Sequence, residues 1–251
     1  MKLKLITINI NGYGEKFGPW SVRRKFLREI IEREDPQLVA LQAVSSDTRR
    51  FSGRDQAHQL ADELMVYSSV TFEAATVIAG ERQLGVALLS KLRPLQIERL
   101  RLDTSSRDED PSQRVILRAA FQLGSTKLQL FNCHFSWGAE QNKRNLEQAL
   151  QFFSRFEDPS IVVGDFNASP ESSGIELLLR NGWIDSWAHL KPGQNGFTFE
   201  SDRPTQRIDY VMVSNQLASA LQRIGLLPSA SRRESVSYSD HLGLIAELII
   251  I

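Results

Sequence analysis

Val115-Ile116-Leu117-Arg118-Ala119-Ala120-Phe121-Gln122-Leu123, followed after a short turn by Lys127-Leu128-Gln129-Leu130-Phe131-Asn132-Cys133, reads as two strands in succession. Val70 to Ile78, Gly85 to Ser90 and Leu95 to Leu102 carry the same enrichment in apolar and β-branched residues just upstream. Consecutive strands with turns and no helix between them imply antiparallel pairing, since parallel neighbours need a long crossover.

Outward from this block the grammar changes. Leu3 to Ile8 is a strand and Asn9 to Gly18 is turn-rich. Ser21 to Glu34 then places Val22, Phe26, Leu27, Ile30 and Ile31 at helical spacing. Leu38 to Gln42 is the next strand. Gln56 to Met65 is a helix with Ala57, Leu60, Ala61 and Leu64 facing inward. After the strand block, Gln141 to Phe156 is helical, Ser160 to Gly164 a buried strand and Ser172 to Arg180 a short helix, and Arg207 to Val213 and Leu242 to Ile249 close with strands. Each half therefore offers a mixed sheet with helices on one face. The expected class is α/β (α+β), a four-layer α/β sandwich of two packed mixed β-sheets flanked by helices. The polar stretch Asp103 to Gln113 reads as a solvated loop, and no linker divides the chain, so one domain over residues 1–251 is expected.

The 251 residues are 41% hydrophobic, enough for a large core, and carry 30 basic against 30 acidic side chains. A balanced charge provides no long-range field for nucleic acid or an anionic membrane, although a local basic groove remains compatible with it. Cys133 is alone and makes no intrachain disulfide. No stretch approaches the roughly 18 apolar residues of a membrane span, and the chain opens directly on a strand. The default expectation is a cytoplasmic protein that uses no membrane and no protein partner.

Four strand ends finish in polar residues suited to phosphoryl chemistry. Asn9 follows the first strand and on its own reads as a turn residue. Asp165 and Asn167, two apart at the end of Ile161-Val162-Val163-Gly164, can point the same way and offer hard oxygens for a cation or a phosphate-bound water. Both are also ordinary turn formers. Asp209, in Arg207-Ile208-Asp209-Tyr210-Val211, interrupts an apolar face. A buried carboxylate there needs a partner, which is a His, a metal or Arg207 in a plain salt bridge. His241, in Ser239-Asp240-His241, and His134, in Asn132-Cys133-His134-Phe135, are two of only four histidines, and both stand at strand ends.

Taken in order, Thr7-Ile8-Asn9, Leu41-Gln42, Gly85 to Ser90, Asn132 to His134, Gly164 to Asn167, Arg207 to Tyr210 and Ser239 to His241 resemble the endonuclease/exonuclease/phosphatase superfamily, the deoxyribonuclease I-like proteins. The match spans nearly the whole chain. It looks most like bacterial members with a tryptophan shortly after the first His, as Trp137 is here, and a stretch like Gly196 to Phe199 ahead of the Arg-Ile-Asp-Tyr strand. The resemblance implies a Mg²⁺-dependent phosphoester hydrolase, with Mn²⁺ as the alternative ion. His241, oriented by Asp209, acts as general base or as a positive group on the phosphoryl oxygens. Asp165 orients or activates the nucleophile, and Asn167 and His134 donate to the phosphate. Asn9 and Asp240 make the metal side, and Asn11, Trp137 and Arg207 contact substrate.

One position departs from the pattern. The family's Gln-Glu pair is Gln42-Ala43 here, so a carboxylate that holds the metal is absent. An engineered change, a natural divergence with another carboxylate in its place, and a pseudoenzyme that binds without cutting all fit that departure.

Substrate choice falls to the loops Tyr13 to Trp20, Ser45 to Asp55, Ser136 to Asn142 and Trp187 to Pro204. Trp20, Trp137, Trp187 and Phe197 are placed to stack on bases there, or to pack down. Arg49, Arg50, Arg54, Arg203, Arg232 and Arg233 are placed to meet phosphates, or to sit in solvated pairs. A nuclease-like phosphodiesterase acting on DNA or RNA is the expectation, and a phosphatase or a phospholipid or small-molecule phosphodiesterase is the alternative.

Overall fold

The computed structural model describes residues 1–78, 81–228 and 237–250. Twelve strands form among them: β1 (Lys2–Asn9), β2 (Leu38–Asp47), β3 (Ser69–Ile78), β4 (Arg82–Ser90), β5 (Gln96–Arg101), β6 (Val115–Leu123), β7 (Thr126–His134), β8 (Ser160–Asp165), β9 (Trp183–Asp185), β10 (Asp209–Ser214), β11 (Leu221–Leu226) and β12 (Leu244–Ile249). Five helices accompany them: α1 (Trp20–Glu34), α2 (Gln56–Leu64), α3 (Ala139–Phe153), α4 (Ser173–Arg180) and α5 (Ser186–Leu190).

The strands make two six-stranded sheets, ordered β11-β12-β1-β2-β4-β3 and β5-β6-β7-β8-β10-β9. Alternation along each strand sorts side chains into layers. Leu3 and Leu5 of β1 face the second sheet, while Ile6 and Ile8 face α1 and α2. In β8, Ile161 and Val163 point to the layer between the sheets and Val162 to the layer under α3 and α4. The expected four-layer sandwich is what forms.

The sheets do not correspond to the two halves of the chain, as the sequence reading supposed. β5, β6 and β7 leave the first half to join the second sheet, and β11 and β12 return to complete the first. Pairing drives the exchange: β12 runs antiparallel along one side of β1 (Thr7 opposite Leu244), and β2 runs parallel along the other. Both sides of a largely buried central strand are thereby satisfied.

Three elements escaped the sequence reading. β9 and α5 span three and five residues, too few to show a period, and β11 is an edge strand in which only Leu221 and Ile224 are buried. The stretch Asp103 to Gln113 also differs from expectation. It docks through Asp110, which is fully buried and accepts from Arg114 Nε at 3.0 Å and Nη2 at 2.5 Å. Asp108 ties the same loop to Arg144 of α3.

Each sheet holds one parallel pair, and these fix the working edge. β1 and β2 end together at Asn9 and Gln42, while β7 and β8 end together with His134 opposite Asp165. Antiparallel β10 begins at that edge, with Asp209 opposite Asp165, and β12 begins just after His241.

Candidate active site

A cleft of about 400 Å³ opens at this edge, lined by Asn9, Asn11, Ala43, Leu84, Arg114, His134, Trp137, Asp165, Asn167, Phe199, Gln206, Ile208, Asp240 and His241. It straddles the seam between the sheets. Two buried amides clasp the seam beneath it: Gln42 Nε2 donates to Asn132 Oδ1 at 2.6 Å and to Thr7 Oγ1 at 3.0 Å. Asn132 Nδ2 returns to the backbone oxygens of Leu41 (3.1 Å) and Ala87 (2.8 Å).

Asp165 is the hub. Its Oδ2 accepts from Asn9 Nδ2 at 2.8 Å and lies 3.4 Å from His134 Nε2 and 3.8 Å from His241 Nε2. Its Oδ1 accepts from the backbone N–H of Asn167 at 2.9 Å. That turn holds Asn167 in a left-handed conformation (φ 48°), with its Nδ2 on Phe135 O at 3.0 Å. Asn9 is committed at both ends of its amide, because its Oδ1 accepts from Asn11 N at 2.9 Å.

His241 Nδ1 lies 2.9 Å from Asp209 Oδ2, which makes a buried His–Asp pair. Burial opposes the charge on His241, but Asp209 and Asp165 outweigh it and raise the pKa to about 10. Asp165 moves the other way from a usual carboxylate, lifted mainly by burial, with His241 opposing. The His134 imidazole is pushed well below its usual range by burial and by the cations Arg114 and His241. The site thus pairs a charged histidine with a neutral one.

The 239–241 turn is fastened to the end of β1. Ser239 Oγ donates to Asn9 O at 2.6 Å, and His241 N donates back to Ser239 Oγ at 3.2 Å. Behind it Arg23, 1% exposed, donates to the backbone oxygens of Ile10 (2.7 Å), Gly12 (2.6 Å), Gly18 (3.0 Å) and Tyr238 (3.1 Å). A single guanidinium therefore holds the loop that carries Asn11 against the loop that carries Asp240.

Asn9, His134, Asp165, Asn167, Asp209, Asp240 and His241 converge as the sequence suggested, and Asn11 and Trp137 reach the cleft. Arg207 does not. Its Nη1 bonds Asp185 Oδ2 at 2.6 Å, both residues are buried, and its neighbours Gln206 and Ile208 line the cleft instead. The salt-bridge partner of Asp209 is accordingly His241. Trp20 and Trp187 pack down, with Nε1 on Gln59 Oε1 and Gln194 O respectively, and Arg54 is spent on Asp62. Arg232 and Arg233 lie outside the described residues.

Five lining residues escaped the sequence reading: Leu84, Arg114, Phe199, Gln206 and Ile208. Arg114 stood at the end of a stretch read as solvent-facing, yet it is 6% exposed and abuts His134. Phe199 packs its ring on His241, centroids 4.9 Å apart. Its place in Gly196 to Phe199 was the available signal.

Ala43 sits where β2 bulges: the register against β4 shifts between Leu41 and Val44, and Ala43 adopts φ 51°. A non-glycine residue there is strained, and the bulge turns its Cβ into the cleft. Of the residues at this corner, Asn9 is already committed to Asp165 and Asp240 offers a carboxylate. Asp165, Asp209 and His241 bring ligand atoms within 4.8 Å of one another, with the charged His241 committed to Asp209. Asp209 Oδ1 is also buried without a partner among the described residues. That orphaned oxygen and the Asp165 carboxylate fit a divalent cation, and at the Ala43 corner Asp240 keeps one carboxylate to which a second at position 43 would add.

The sequence model of the Endonuclease/Exonuclease/phosphatase family matches residues 6–241. Protein angel of Drosophila melanogaster is 28% identical over 199 residues, 72% of this chain and 53% of that protein, so the chain spans about half the length of this curated relative. Among solved structures, an endonuclease/exonuclease/phosphatase family protein from Leptotrichia buccalis superposes with a TM-score of 0.79 at 18% identity, covering 99% of this chain and 100% of that one. A 3′ phosphatase from Neisseria, solved with a product DNA hairpin, gives 0.71 at 19% identity over 99% and 100%. No helix among the described residues is long and apolar enough to cross a membrane.

Proposed function

Because the chain belongs to the Endonuclease/Exonuclease/phosphatase family, whose members hydrolyse phosphoesters, we propose that it is a divalent-metal-dependent phosphodiesterase acting on a nucleic-acid-like substrate, with catalysis weakened at Ala43. The convergence of Asn9, His134 and His241 on Asp165 is the observation that carries this reading. A carboxylate that accepts from Asn9 and the Asn167 N–H, with His134 and a charged His241 within 3.8 Å, is arranged to orient a water for attack on a phosphorus atom. Asp165 receives the proton of that water, its raised pKa bringing it nearer to neutral pH. His241, kept charged by Asp209, faces the phosphoryl oxygens, and Asn167 and His134 line the cleft as donors to them. Asp165 and Asp209, with Asp240 in the same cleft, would hold a divalent cation, Mg²⁺ or Mn²⁺, which when bound would supply Lewis-acid stabilisation of phosphoryl charge.

Trp137, 55% exposed, and the Phe199 ring line the same cleft, which favours a substrate with a stackable base over a bare phosphate. Phosphodiester hydrolysis by this chain, by Ala43→Glu and by Asp165→Asn, over Mg²⁺ and Mn²⁺ series, tests the reading. Slow turnover that Ala43→Glu raises and Asp165→Asn abolishes is expected. A second reading, a binder that does not cut, draws on Ala43 itself. It holds if phosphorylated ligands bind and Ala43→Glu brings no turnover on any substrate.

A further inference from the structure

Asp209 opens β10 of the second sheet, and His241 stands just ahead of β12 of the first. No ladder shared by β10 and β12 among the described residues sets the distance between the two side chains. A third segment, residues 196–206, joins them. Gly196, at φ 63°, passes so close to the Trp187 ring that a Cβ there would meet it at 2.3 Å. The chain then doubles back: Thr198 N and Phe199 N donate to Gln206 O at 2.7 and 3.0 Å, and Gln206 N donates to Phe199 O at 3.0 Å.

Thr198, fully buried, reaches both strands of the His–Asp pair. Its Oγ1 accepts from the backbone N–H groups of Ile208 (3.3 Å) and Asp209 (3.4 Å). Its carbonyl oxygen accepts from the N–H of Leu242, the residue after His241, at 2.8 Å. Ser201 extends the tie, with its N donating to Asp240 O and its Oγ to Ser239 O, both at 2.7 Å. Phe199 pairs with His241 along the backbone and lays its ring on the imidazole.

We propose that Thr198 is a positioning residue for the His241–Asp209 pair: its hydroxyl fixes the start of β10, its carbonyl fixes the backbone after His241, and the 2.9 Å contact depends on both. Threonine suits the task. Two lone pairs on one hydroxyl serve two N–H groups, and the branched Cβ restricts χ1. Valine keeps the shape and withdraws the acceptor from both N–H groups. The geometry stands by itself, and its catalytic consequence rests on the phosphoester reading above.

Proton NMR of the full chain without added metal tests the role. The His241 Nδ1–H, donated to Asp209 and covered by Phe199, should give a far-downfield resonance, assigned by its loss in His241→Gln. Thr198→Val and Thr198→Ala should speed its exchange with water by on the order of tenfold or more, the scale of one buried hydrogen bond. Thr198→Ser should behave as the unmodified chain. Thr7→Val serves as the control, because Thr7 is equally buried but its hydroxyl accepts from Gln42 Nε2. Thermal transitions check that each variant folds. An unmoved resonance in Thr198→Val and Thr198→Ala, an equal change in Thr7→Val, or no such resonance in the unmodified chain overturns the proposal.

The second arm is turnover of a phosphodiester in the Ala43→Glu background. There Thr198→Val should lower kcat by up to about a hundredfold, as misplaced catalytic groups do, with KM unchanged, and Thr198→Ser should restore it. A raised KM at constant kcat would make Thr198 a substrate-binding residue and overturn its positioning role. Absence of turnover in Ala43→Glu itself removes the phosphoester reading alone, and the proton resonance then decides for Thr198.

Discussion

Asn9 Nδ2 donates to Asp165 Oδ2 at 2.8 Å across the seam between the sheets, joining residues 156 positions apart in the chain. The bond belongs at once to the packing of the sandwich and to the charge balance of the site. Asn9→Ala leaves a buried carboxylate short of one donor, which costs about 1–3 kcal/mol of stability. Loss of its orienting contact should lower phosphodiester turnover in the Ala43→Glu background by about 10 to 100-fold. Urea unfolding and initial rates read the two effects separately, and wild-type behaviour in both would show that Asp165 needs no such support.

Ala43→Glu should increase divalent-ion affinity by at least about tenfold, the scale on which even supporting residues tune metal sites. Free Mn²⁺ measured by electron paramagnetic resonance reads this without reference to turnover. Equal affinities would mean that the bulge no longer presents residue 43 to the ion.

Ala43→Gly addresses the backbone alone. With φ 51° at this position, glycine removes the clash that a Cβ meets in the left-handed region. The protein should gain about 1 kcal/mol. A loss of stability would indicate that packing of the Ala43 methyl group outweighs the strain.

The two site histidines should shape stability on opposite limbs of the pH profile. His241 has a folded pKa raised from 6.5 to about 10, so its contribution is complete below 6.5 and is lost as pH rises toward 10. His134 is depressed, so it takes up a proton in the unfolded chain first and destabilises the fold as pH falls below 6.5. Thermal unfolding across pH should show a shallower alkaline limb in His241→Gln and a shallower acid limb in His134→Gln. Parallel curves for wild type and both variants would contradict these charge states.

Arg114→Met should raise the pKa of His134, one of whose named depressing influences is this guanidinium. Proton-detected NMR of the imidazole reads that shift directly. Asp110→Asn, which keeps Arg114 but removes its anchor, should instead loosen residues 103–113, seen as faster amide exchange. An unmoved His134 titration in Arg114→Met would place the guanidinium too far away to matter.

The layers, most strands and seven of the site residues were legible in the sequence because each rests on a local signal. Runs rich in apolar and β-branched residues mark β6 and β7, helical spacing marks α1 and α2, and polar residues stand out beside apolar runs at Asn9, Asp165 and His241. Long-range choices were not legible. Arg207 and Arg114 both flank strands, and nothing local shows that one bonds Asp185 away from the cleft while the other lines it. Nor does local pattern tell which sheet a strand joins. Leu244 to Ile249 pairs with β1 because β1 has an open side, a fact of topology and not of composition.

The pairing of β1 with β12 also orders events during synthesis. At the ribosome, β1 emerges before every other strand of the two sheets, while its antiparallel neighbour β12, with His241 just ahead of it, emerges after all of them. Any nascent chain stopped short of residue 241 lacks both the strand that flanks β1 and the charged histidine. A product truncated there is therefore left with an open sheet side and a cleft without its His–Asp pair.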